Sequence, residues 1–169
     1  PGVPSGLVVA GGDERLVISW TAPTTDGGLL LTSYWITYTL SATSGVASGM
    51  VQTGSALTTF TLTGLTNGVS YEVIVAAVNS RGQGLPTPAV HGTPYTLPGP
   101  PDGLSGQLAD GFVALSWLTP GVTGGATVTG YQIEGKPTES DVWSVIVLNT
   151  ESVATTYTFG LVTGGGTYD

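Results

Sequence analysis

The chain of 169 residues contains no cysteine. That excludes a disulfide framework, a thiolate metal site and a cysteine nucleophile, and it leaves the compartment open. Basic residues are nearly absent as well. Arg15, Arg81 and Lys136 stand against 11 acids, for a net charge of −8. Three scattered bases form no basic patch, so nucleic acid is excluded as a partner and anionic membrane surfaces are disfavoured. Charged residues of both signs make up only 8%, against about 25% in ordinary domains. No apolar run approaches the roughly 18 residues that a membrane span needs, so no membrane insertion is expected. His91 is the only histidine. With no second histidine and no cysteine it anchors no typical zinc site, and no cofactor is expected.

What the chain does contain is glycine and threonine, 27 residues of each, and 40% hydrophobic residues. The hydrophobic share is enough for a core, so low charge does not mean disorder here. The surface must then be built from Thr, Ser and Gly. Such a surface suits an extracellular protein or a virion surface better than a crowded cytosol. The sequence opens Pro1-Gly2-Val3-Pro4 without methionine or a signal peptide, so the expected object is a piece of a longer protein.

An internal repeat organises the chain. Trp20 and Trp117 are 117 − 20 = 97 positions apart. The same offset carries Pro1-Gly2 onto Pro98-Gly99, Pro23 onto Pro120, and Gly27-Gly28 onto Gly124-Gly125. It also carries Thr32, Tyr34 and Ile36 onto Thr129, Tyr131 and Ile133, and Tyr71 onto Tyr168. An ungapped match over this span indicates two copies of one module. The expected division is a complete domain over 1–93, a proline-rich linker over 94–98, and a partial domain over 99–169. Asp169 falls where Glu72 stands, so counterparts of Val73 to Leu97 are not in the sequence. The expectation is a cut chain, with strand addition from a partner as the other route to a closed sandwich. Four prolines between Thr93 and Pro101 predict a stiff, extended connection.

Seven strands fit the first copy, each short and bounded by turn residues. Leu7 to Ala10 is the first. Leu16, Ile18 and Trp20 alternate with Val17 and Ser19, the period-2 pattern of a strand with one buried face. Tyr34, Ile36 and Tyr38 form a second inward row. A weak strand runs near Val46 to Thr53 after a turn at Thr43-Ser44-Gly45. Phe60 and Leu62 precede a Thr/Gly/Asn turn, and Tyr71, Val73, Val75 and Ala77 form the longest row. Asn79 to Gly84 reads as a loop, and Pro88 to Thr93 as a final edge strand.

The stretch from Leu62 through Tyr71 looks like the tyrosine corner of a β-sandwich. Together with the Pro4 entry, Trp20, the run Leu31 to Tyr38 and the exit Ala77 to Gly84, it makes the chain resemble the fibronectin type III domain. The resemblance implies an all-β fold: two antiparallel, immunoglobulin-like sandwiches in tandem, the second lacking its last strands. It assigns Trp20, Tyr34, Tyr71, Trp117, Tyr131 and Tyr168 to the structural core. An antibody-type domain fits less well, since that core needs two cysteines. In the second copy Gly164-Gly165-Gly166 replaces Asn67-Gly68-Val69, which predicts a looser corner. Gly135 replaces Tyr38, and Trp143 is the expected filler of that gap.

Catalytic constellations are not found. His91 reads as an edge-strand residue, and no nucleophile elbow accompanies it. The acid pairs Asp13-Glu14 and Glu139 with Asp141 fall in expected hairpin turns, where acids are solvated. Arg81-Gly82-Gln83 lies where some relatives carry an integrin-binding Arg-Gly-Asp, and Gln83 removes that function.

One feature rises above the background. If Tyr34, Val73 and Val75 face inward, then Trp35, Ile74, Ala76 and Val78 face outward on neighbouring strands and form one apolar patch. The expected function is a non-catalytic structural and interaction module. Its partners would be proteins, namely neighbouring copies or subunits of a larger assembly, with cell-surface carbohydrate as a second ligand class. Modules of this Thr/Gly-rich kind resemble those of phage tail or capsid appendages and bacterial surface proteins. The alternative is a spacer or weak carbohydrate-binding module of a secreted polysaccharide-degrading enzyme.

Overall fold

The structure, a computed structural model, describes residues 1–40, 49–137 and 139–160. It is all-β. The chain divides into two compact units, the first of Pro1–Leu97 with Gly124–Ala126 and the second of Pro98–Thr123 with the chain from Thr127 onward.

In the first unit β1 (Ser5–Gly12), β2 (Arg15–Thr21) and β5 (Thr59–Thr63) form one antiparallel sheet in the order β1-β2-β5. The other sheet runs β4 (Gly49–Gln52), β3 (Leu31–Leu40), β6 (Tyr71–Asn79) and β7 (Gly82–Pro86), with β8 (Val90–Gly92) also pairing β6. The turn at Thr43-Ser44-Gly45 and the strand residues before Gly49 lie outside the described residues.

The core lies where the alternating rows of the two sheets meet. Leu16, Ile18, Tyr34, Ile36, Val73, Val75 and Ala77 are fully buried, and Trp20 and Tyr71 nearly so. The β-branched run of β6 suits this position, since branched side chains pack well on a pleated surface. Trp20 meets Tyr34 edge-on, with ring centroids 4.9 Å apart. At the corner, Thr66 N–H donates to the Tyr71 hydroxyl at 3.1 Å. Tyr71→Phe leaves this donor to solvent and should cost about 1 kcal/mol in a denaturant titration, the usual net value of one hydrogen bond.

Three features of the first unit differ from the sequence expectation. The stretch 79–84 is a hairpin, not an open loop. Asn79 pairs with Gly82 across Ser80-Arg81, Arg81 N–H donates to Asn79 Oδ1, and Gly82 takes a φ of 131° that favours glycine. The final strand is also split. β7 pairs with Ala76, Val78 and Asn79, while β8 pairs with Tyr71, Glu72 and Val73. Pro86 and Pro88 lack the N–H groups that a continuous ladder needs, so the pairing breaks between them. In addition, Pro94 and Tyr95, read from sequence as linker, are tied to the first unit. The Pro94 carbonyl accepts from Gly68 N–H at 2.8 Å, and Tyr95 N–H donates to the Gly12 carbonyl at 3.0 Å.

The second unit repeats the first at the same offset. β9 (Asp102–Ala109), β10 (Phe112–Leu118) and β13 (Thr156–Gly160) form a sheet in the order β13-β10-β9, and β11 (Ile133–Gly135) pairs with β12 (Ser144–Val147). Trp117 meets Tyr131 edge-on at 5.0 Å. Both units carry the same threonine lock. Tyr34 N–H donates to Thr53 Oγ1, which donates to the Ser55 carbonyl. Tyr131 N–H likewise donates to Thr150 Oγ1, which donates to the Ser152 carbonyl. Among the described residues the buried cluster is smaller here, namely Trp117, Tyr131 and Ile133. Leu104 and Leu148 are 69% and 77% exposed, whereas their counterparts Leu7 and Val51 are packed against the first core. Tyr168 and the glycines of the second corner lie outside the described residues.

Trp143 does not fill the space at Gly135. It is 54% exposed, and the Lys136 Nζ stands 5.7 Å from its ring centroid. Ile146 is the neighbour instead, for a Cβ added to Gly135 would lie 2.6 Å from Ile146 Cδ1. Ile146 stands 97 positions after Gly49, the partner of Tyr38 in the first unit, so the large and small members of the pair have changed places.

Candidate interaction surface

The outer face of the β4-β3-β6-β7 sheet is built in rows by strand register. Trp35 lies between Gln52 of β4 and Ala76 of β6, and Ala76 is followed by Pro86 of β7. One row along, Thr37 lies between Met50 and Ile74. On the other side, Val78 lies between Ser33 and Gln83. Directly opposed side chains on one face stand within about 5.5 Å at Cβ, so each row is a contact line. Gln52 Nε2 donates to Ser33 Oγ at 2.7 Å and closes the polar end of this face.

Trp35 and Ile74 are half-buried, and Met50 is 58% exposed. Ala76 and Val78, expected as exposed members of the patch, are covered, at 2% and 8% exposure. The reason is β7. Strand alternation tells which way a side chain points but not what lies beside it. The hairpin at Ser80-Arg81 lays Gln83 and Pro86 alongside Val78 and Ala76, and Trp35 flanks Ala76 from the opposite side. The accessible apolar surface is therefore Trp35, Ile74 and Met50. Met50 went unnoticed in sequence because its strand gave a weak alternating signal.

The remaining polar candidates are separate from this surface or play structural roles. Asp13 Oδ1 accepts from Asn67 Nδ2. Glu139 and Asp141 are exposed. His91 Nε2 lies 3.6 Å from Glu72 Oε1, with both side chains about half-exposed, a geometry worth at most about 1 kcal/mol. A depression of about 780 Å³ in the loop 23–31 contains one acid, Asp26, and its Oδ1 accepts from Gly28 N–H. Among the described residues no group of three or more His, Cys, Asp or Glu is placed to hold a metal ion.

Known proteins are similar to this chain. The chain is 30% identical over 139 residues to a Kelch domain-containing protein of Saccharolobus solfataricus, covering 82% of this chain and 18% of that protein. It is 30% identical over 128 residues to Myosin-binding protein C, slow-type, of Rattus norvegicus, covering 73% of this chain and 20% of that protein. The chain thus spans about a fifth of the length of these curated relatives. The solved fn3 domain of the human collagen alpha-1(XX) chain is similar in structure, with a TM-score of 0.50 and 27% identity, over 59% of this chain and 90% of that one. The family profile described as Fibronectin type III domain matches residues 2–93. With its tyrosine corner, its Trp20–Tyr34 core pair and its two antiparallel sheets, the chain belongs to the fibronectin type III domain family.

Proposed function

We propose that this chain is a non-catalytic docking module of an extracellular or virion-surface assembly, and that it holds a neighbouring copy through the outer face of the β4-β3-β6-β7 sheet. The observation that carries this reading is the accessible apolar surface of Trp35, Ile74 and Met50, from two adjacent rows of that face. Tryptophan and methionine are enriched at protein interfaces, and a half-buried tryptophan at the centre of a patch is the usual form of a hot spot. Domains of this family serve as interaction and structural modules, and one relative is named for binding myosin. The low charge of the chain fits the same role, because interface cores are depleted of charge.

The test is sedimentation velocity over a concentration series of the whole chain. Trp35→Gln, the residue type at the matching position Gln132, should weaken self-association by at least about tenfold, as loss of a hot-spot tryptophan does. The fold should survive, since this face is not the core. Identical sedimentation of the variant and the parent chain would sink the proposal.

A further inference from the structure

One side chain joins the β1–β2 turn to the corner before β6. Asn67 Nδ2 donates to Asp13 Oδ1 at 2.9 Å, and Glu14 N–H donates to Asn67 Oδ1 at 2.9 Å. Leu65 N–H adds a bond to the Glu14 carbonyl at 3.0 Å. The clamp holds Glu14 at a φ of 49°, a left-handed conformation that a residue with a Cβ resists. Its counterpart in the second unit, Gly111, adopts the left-handed conformation without that cost. Asn67 lies outside the Trp35 surface.

Asn67 is followed by Gly68, which is exposed. An Asn-Gly pair is chemically labile, because glycine has no side chain to shield its backbone nitrogen. The Gly68 nitrogen gives up its proton and attacks Asn67 Cγ. The new N–Cγ bond forms a five-membered imide. The Cγ–Nδ2 bond breaks, and nitrogen leaves as ammonia with a proton from solvent. Water then opens the imide at one of its two carbonyls and leaves aspartate or isoaspartate. No oxidant or reductant takes part, and water is the only co-reactant.

In the closed corner all three reacting groups are engaged. Asn67 Nδ2 and Oδ1 are held as described, and Gly68 N–H donates to the Pro94 carbonyl at 2.8 Å. We infer that Asn67 is a deamidation site gated by the fold: the closed corner keeps the amide intact, and reaction after local opening releases the β1–β2 turn from the corner. The released state does not re-form the whole clamp: an aspartate at 67 can still accept from Glu14 N–H, but one bond is lost. An aspartate at 67 cannot donate to Asp13. It also places a third carboxylate beside Asp13 and Glu14, although solvent screens that repulsion, so the lost donor is the larger effect. An isoaspartate adds a backbone carbon between the Cα of residue 67 and the Gly68 nitrogen, whose N–H is bound to the Pro94 carbonyl.

The test compares the whole chain with a synthetic peptide of residues 60–75 in one neutral buffer. Deamidation is read by mass spectrometry, and isoaspartate by enzymatic methylation. Asn67 should react at least about tenfold more slowly in the chain than in the peptide, since local opening must precede reaction. Asp13→Ala should move the chain toward the peptide rate. In Asn67→Asp, the amides of Thr66 and Gly68 should exchange hydrogen faster than in the parent chain. Equal rates in chain and peptide would overturn the gating. Unchanged amide exchange in Asn67→Asp would overturn the release.

Discussion

Trp20→Ala should cost the first unit about 4 kcal/mol, within the range for removing a buried aromatic side chain. Trp20 is 5% exposed and lies in the cluster that includes Leu16, Ile18, Tyr34 and Leu62. Its edge-on contact with Tyr34 at 4.9 Å adds to the area term. Hydrogen bonding adds nothing to the loss, because Trp20 Nε1 and the Tyr34 hydroxyl are buried with no protein partner among the described residues. This has a corollary of opposite sign. Tyr34→Phe removes an oxygen that makes no bond, so it should be neutral or stabilising. Denaturant unfolding of both variants, followed by a probe in the first unit, gives both values. A loss below about 1 kcal/mol for Trp20→Ala would mean that the two sheets do not depend on this pair.

Thr87→Val should cost about 2 kcal/mol, the penalty for leaving a buried donor unmade. Thr87 stands between Pro86 and Pro88, where the last strand cannot continue its ladder. Its N–H donates to the Val75 carbonyl at 2.9 Å, and its Oγ1 accepts from Val75 N–H at 3.1 Å. The hydroxyl thus takes the place of a missing backbone carbonyl beside a fully buried residue. Valine has nearly the same shape but no acceptor. Thr87→Ser keeps the oxygen, loses only a methyl group and should cost about 1 kcal/mol. Hydrogen exchange at the Val75 amide separates the two variants. If Val and Ser behave alike, the hydroxyl is not the stabilising group.

The core was legible in sequence because period-2 alternation reports which face a strand buries. Leu16, Ile18 and Trp20 on β2, and Tyr71, Val73, Val75 and Ala77 on β6, form the buried rows it predicts, although Ala76 between them is covered as well. The repeat was legible from spacing alone, and the two aromatic pairs, near-identical in distance and angle, restate it in three dimensions. The candidate surface was legible only in part. Pointing direction was readable for Trp35, Ile74, Ala76 and Val78, but cover was not, since cover depends on a strand that prolines and glycines disguise as loop. Thr53 and Thr150 were missed for a related reason. A threonine lock has no signature of its own in a chain with 27 threonines, although the repeat offset connects these two. Trp143 was misplaced although the repeat offset sets Ile146 at the position of Gly49, the partner of Tyr38; hydrophobic periodicity alone does not show an exchange of large and small partners.

On the proposed reading the β4-β3-β6-β7 sheet docks another copy through Trp35. Amide chemical shifts of the whole chain, recorded as its concentration rises, test it most directly. Changes confined to Ser33, Trp35, Thr37, Met50, Gln52 and Ile74 are expected, and their loss in Trp35→Gln. Changes centred on Val8, Val17 and Thr61 of the opposite sheet, or a spectrum independent of concentration, would contradict it.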